Sequence, residues 1–163
     1  MRIVRETGSH FDLDERRARL LLDDLLSRPL FAHLSTSSAS GPRDSPVWFL
    51  WEDDALWMIG NYKTDSFPKR IDRDPRCAVG IVDFDVSTGM VQHAGFRGRA
   101  RLEGHDRDRM KRLLRRYLGE EEDWDARFVE ILDDRDYVFI RFVAETAVVR
   151  DQSFAVKEGD RIF

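Results

Sequence analysis

Apolar positions along the chain fall into runs of two different periods. From Leu13 to Leu26 they recur at helical spacing: Leu20, Leu21, Leu25 and their neighbours form one face, Asp12 or Asp14 stands where a cap is needed, and Pro29 ends the run. Short β-prone runs follow at Leu30–Thr36, Val47–Glu52 and Ala55–Gly60, the last two joined by Asp53-Asp54 as a hairpin turn. The polar stretch Ser35–Pro46 reads as a loop with a turn at Gly41-Pro42. Asp65–Arg73 reads as a short helix stopped by Asp74-Pro75. Cys77–Phe84 and Val91–Glu103 read as strands, the second bendable at Gly95 and Gly98. Asp106–Leu118 is an amphipathic helix ending at Gly119, and Ala126–Leu132 a short one. Tyr137–Val143 and Thr146–Arg150 are the last strands.

Strands that mostly follow one another, interrupted by single helices, predict a mainly β fold with peripheral helices: a six-stranded antiparallel barrel rather than a doubly wound parallel sheet. The 163 residues contain no repeat or linker that would divide them, so residues 1–163 are expected to form one domain.

Charge and cysteine content narrow the class. The chain has 31 acidic and 27 basic side chains, a net charge of −4, which gives no general attraction for nucleic acid or anionic membrane. A single cysteine, Cys77, excludes an intrachain disulfide and favours a reducing compartment. There is no secretory signal pattern at the N-terminus and no apolar run near the length of a membrane span. The expectation is a cytoplasmic protein with no membrane or nucleic-acid partner.

Three stretches carry a resemblance: GPRDSPVWFLWEDDALWMIG (41–60), KTDSFPKRIDRDPRCAVGIVDF (63–84) and VQHAGFRGRARLEG (91–104). In order and spacing they resemble the pyridoxamine 5′-phosphate oxidase-like, FMN-binding split-barrel proteins, over about residues 15–150. The resemblance implies a split barrel that dimerises, with flavin sites at the dimer interface. Two departures stand out. Phe67-Pro68 precedes Lys69 where many relatives carry a second basic residue, and nothing matches the C-terminal segment with which the true oxidases recognise pyridoxal phosphate.

FMN needs cations and hydroxyls for its phosphate, and a flat apolar slot for its ring. Lys63, Thr64, Ser66 and Lys69 supply the first set at the entrance to the short helix, with Lys69 the leading cation and Arg70 or Arg43 secondary. Thr64 or Ser66 as a plain helix cap is the competing reading. By the resemblance, Val47 and Trp48 on one strand, and Ile59, Gly60 and Asn61 on the next, line the ring. Alternation puts Trp48 opposite Val47 and Phe49; Phe49 and Trp51 read as core, and Trp48 reads equally as ring-lining or core. Gln92 and His93 sit where the family supplies a polar side chain from the partner subunit, and only one of the two should face the site. For Arg97, Arg99 and Arg101 a solvated outer face is the simpler reading of at least two.

No HExxH, CxxC, Walker loop or Ser-His-Asp arrangement occurs, and no metal site is expected. Two function classes follow. One is an FMN-dependent oxidoreductase with an unknown small-molecule substrate. The other is a non-catalytic binder of a flavin, a deazaflavin or heme.

Overall fold

The computed structural model describes residues 1–5 and 10–156. It contains eight strands, β1 Arg2–Ile3, β2 Ala32–Ser38, β3 Gly41–Val47, β4 Phe49–Glu52, β5 Ala55–Asn61, β6 Arg76–Asp85, β7 Met90–Glu103 and β8 Tyr137–Asp151. The helices are α1 Glu15–Ser27, α2 Phe67–Arg73, α3 Arg107–Leu118 and α4 Ala126–Glu130.

Seven strands lie in the order β3-β2-β6-β7-β8-β5-β4, and β1 adds to β8 as a short parallel strand. The two ends of that path, β3 and β4, are separated in the chain only by Trp48. They form one run that pairs with β2 through its first half and with β5 through its second. Counting that run once gives the expected six members of a split barrel. The parallel β1 is an addition that a two-residue strand did not reveal in the sequence.

Period-two alternation fills the barrel. Leu34, Phe49, Leu56, Met58, Val79, Ile81, Phe96 and Phe142 point inward and are buried, and α1 adds Leu22, Leu25 and Leu26. A second cluster lies outside the wall: Leu50, Trp57 and Phe139 pack against Met110, Leu113 and Leu114 of α3 and against Trp124. The α1 cap is Asp14, which accepts from the Arg17 N–H at 3.0 Å, whereas Asp12 pairs with Arg150.

The stretch read as a loop at Ser35–Pro46 is instead a hairpin of β2 and β3, turning at Ala39-Ser40. Its polarity has a structural cause. β3 ends the hydrogen-bonded path, so its residues 42–46 mostly face solvent, and an edge of this kind tolerates Pro42 and Pro46. The last two strands are one, β8, carrying a register shift opposite Arg97 and Gly98 that leaves Glu145 as the extra residue. The Asp53-Asp54 turn is as expected, both residues having positive φ, 51° and 53°.

Candidate functional site

The expected phosphate residues come together in one tight loop between β5 and α2. Asn61 organises it: its Oδ1 accepts from the N–H groups of Lys63 (2.9 Å) and Thr64 (3.1 Å), while its own N–H donates to Asp65 Oδ2 at 2.7 Å. The Lys69 ammonium donates to the Lys63 carbonyl at 3.1 Å. Lys63 reaches Asp136 at 2.7 Å, and that bond holds its ammonium above its ordinary pKa. Ser66 stands at the N-cap without capping, because its hydroxyl accepts from Arg70 Nη1 at 2.6 Å. Arg70 Nε donates to Thr36, the buried hydroxyl of the barrel interior, at 2.7 Å. Arg70 is thus a structural strut, while Lys63 and Thr64 of the loop and Lys69 of α2 are exposed, as are Tyr62 and Ser66.

The residues proposed for the ring are dispersed. Val47 faces the core. Trp48 lies outside the barrel, stacked on Tyr117 (4.6 Å between centroids, 5° between planes) and on Phe128 at 5.6 Å. Ile59 packs against the cluster under α3. Gly60 is covered by Phe67: a Cβ there would fall 2.5 Å from that ring.

Gln92 and His93 face opposite ways, as alternation requires. Gln92 accepts from Arg28 at 3.1 Å, in a network that also joins Arg28 to Asp83. His93 lines a cleft of about 420 Å³ on the outer face of β6, β7 and β8, together with Arg5, Ala78, Gly80, Gly95, Arg97, Thr146 and Arg150. Three cross-strand rows make its floor. Ala78, Arg97 and Thr146 form one row, Gly80, Gly95 and Val148 the next, and Val82, His93 and Arg150 the third. The middle row is bare at its two glycines and carries a side chain at Val148. A Cβ at Gly80 would meet nothing within 4 Å, and one at Gly95 would lie 3.0 Å from the His93 ring, which leans over it. No residue of the 59–69 segment lines this cleft.

The glycine strip was missed in the sequence, although Ala78-x-Gly80 and Gly95 carry a signal for it. Small residues inside β-prone runs mark a close approach of something else to the backbone.

The model of the family described as "Pyridoxamine 5′-phosphate oxidase" matches residues 21–149. The chain belongs to this family. No curated protein matches it in sequence. Solved structures of similar fold include a conserved hypothetical protein from Mycobacterium tuberculosis, with TM-score 0.68 and 17% identity over 95% of this chain and 99% of that one. An F420 reductase aligns with TM-score 0.61 and 23% identity over 77% and 94%. An FAD-binding protein from Mesorhizobium loti aligns with TM-score 0.60 and 14% identity over 86% and 96%. At these identities the likeness is one of fold, and it places the split barrel within the family's range. Among the described residues no helix is long and apolar enough to cross a membrane, and no group of three or more His, Cys, Asp or Glu could hold a metal ion.

Proposed function

We propose that this protein binds FMN as a homodimer and uses it for oxidoreduction of a small molecule. The observation that carries the reading is the bare strip of Gly80 and Gly95 beneath His93, a flat backbone surface in a family chain where a planar ring has room to lie. The residues fit a phosphorylated flavin. Lys63, Thr64 and Lys69 offer two ammonium groups and a hydroxyl for the phosphate, on a loop that Asn61 holds in shape. FMN bound there would supply reversible electron and hydride transfer.

The chain's own part is to bind and orient. Lys69 and Lys63 neutralise the dianion, His93 stands beside the ring surface, and no residue is required as a general acid or base. Among the described residues the phosphate loop does not line the cleft over the strip, and a second copy would bring one subunit's loop to the other's strip. The exposed Val82 (50%) and Phe84 (56%), further along the same strand as Gly80, give that face an apolar rim suited to a partner. The relatives described as an F420 reductase and an FAD-binding protein support a flavin-type ring on this fold.

Lys69→Ala tests the reading. Its ammonium donates to the exposed Lys63 carbonyl and lies 5.9 Å from the centroid of the exposed Tyr62 ring, so the fold is expected to survive. A charge-assisted hydrogen bond contributes about 1.5–3 kcal/mol, so FMN binding should weaken about ten- to a hundred-fold while riboflavin, without a phosphate, binds as before. Purified protein with flavin absorbance is the expected starting point. A Soret band, a deazaflavin spectrum, or a colourless sample indifferent to added FMN would each replace FMN.

A further inference from the structure

The row beside the glycine strip holds unspent hydrogen-bonding groups. Arg97 is exposed, and among the described residues its side chain makes no ion pair or hydrogen bond, in a chain with an excess of acidic side chains. Its cross-strand neighbours are Thr146 on one side and Ala78 on the other, with Ser35 beyond Ala78. Neither the Ser35 nor the Thr146 hydroxyl has a partner among the described residues. Arg97 borders two openings: with Thr146 it lines the cleft over the glycine strip, and with Ser35 it lines the neighbouring cleft.

The fold fixes where the Arg97 side chain leaves the sheet. Arg97 sits at the register shift of β7 against β8, and Gly98 allows it: a Cβ on Gly98 would lie 2.1 Å from the Val143 carbonyl oxygen. Bulges of this kind re-aim a side chain.

The surrounding charges choose the side on which a ligand would sit. Arg97 separates two clefts. The one toward Ser37 and Arg76 also contains Glu145, the bulged carboxylate. The one over the glycine strip has Arg5, His93 and Arg150 in its lining and no carboxylate among the described lining residues; Arg150 is itself engaged by Asp12 at 3.5 Å.

We propose that Arg97, with the Thr146 hydroxyl beside it, binds the carboxylate or phosphate group of a small organic anion, whose body lies toward the glycine strip. The substrate class is thereby an organic anion. As an assignment of substrate the proposal rests on the flavin reading above; as a binding site it stands without it.

The test is an NMR titration of the amide signals of Ala78, Gly80, Gly95 and Thr146, with and without added FMN. The probes are benzoate, phenyl phosphate and, as the neutral control, benzamide. Benzoate or phenyl phosphate should shift these signals saturably, and whichever binds more tightly identifies the anionic group. In Arg97→Gln the affinity should fall about ten- to a hundred-fold, and Arg97→Lys should fall between, since lysine keeps the charge without the planar fork. Benzamide binding as well as benzoate, unchanged affinity in Arg97→Gln with its spectrum otherwise native, or no saturable shift with either anion would each overturn the proposal. Failure of FMN to bind, with the anion titration intact, would remove the flavin reading and leave this site standing.

Discussion

Glu52 shows how much a single side chain can gather. Its carboxylate accepts from Arg112 Nε at 2.5 Å and Nη2 at 2.9 Å, and from Arg109 Nε at 3.2 Å, while Arg109 lies 3.6 Å over the Trp57 ring. The Arg112 hydrogen bond, ahead of burial acting the other way and of Arg109, holds Glu52 below its usual value. A carboxylate depressed in the folded state contributes stability that is complete above its unfolded pKa and lost as the pH falls through its folded one. Glu52→Gln should therefore cost stability near neutral pH and flatten the acid limb of a denaturation series against pH. An unchanged acid limb would mean the network contributes nothing. Cys77 is the opposite case: burial first, then nearby Asp74, push its thiol up to about 11. It should react with a disulfide reagent at pH 8 only as the protein unfolds, whereas fast reaction of the native protein would contradict its burial. Cys77 as a small apolar residue was legible from its β-prone neighbours. The spending of Ser66 on Arg70 was not, because its partner chain runs on to Thr36, 30 residues back in a different strand.

At the scale of elements, two glycines on neighbouring strands have opposite meanings. Gly98 is demanded by the fold, because its missing Cβ makes room for the β8 backbone at Val143 and Ala144. Gly98→Ala should cost about 1–3 kcal/mol, as overpacking does, measured by denaturant unfolding. Gly80 faces open space, so Gly80→Ala should leave unfolding within about 0.5 kcal/mol of the parent and weaken FMN binding instead. If Gly80→Ala destabilised the fold like Gly98→Ala, the strip would be a packing feature and the ring reading would lose its main support. In the sequence both were simply glycines in strand-like runs, since only the cross-strand partner separates them. The β2–β3 hairpin was hidden for a related reason. Its second strand buries little, so the alternation that reveals β2 never appears in 42–46. The β4–β5 hairpin was plain, with apolar residues on both sides of a turn whose chemistry was local.

For the whole molecule, the barrel was readable from strand order and the family resemblance, while the proposed dimer has no counterpart in one chain's pattern of polar and apolar positions. Val82 and Phe84 offer a direct test of the dimer. Replacing both with Asp should yield a folded monomer by sedimentation, because neither side chain belongs to the core. A variant that remains dimeric would move the interface elsewhere.

The position of β8 has a consequence for how the protein is made. It is the last strand among the described residues, yet it stands between β7 and β5. A nascent chain ending before Tyr137 has the strands of two half-walls, β3-β2-β6-β7 and β5-β4, joined through Trp48 and through the α2 segment but lacking the strand that seals them. α1 is latched late as well: Arg116 donates to the carbonyls of Leu26 and Arg28, and Tyr117 to that of Leu30, across some 90 residues of chain. Until β8 is made, the strands before it lack their seal and their apolar faces stay open, which favours chaperone capture of this chain over a barrel closed by its early strands. Stalled chains released just short of Tyr137 should be cut readily by protease. Those extended past Asp151 should resist.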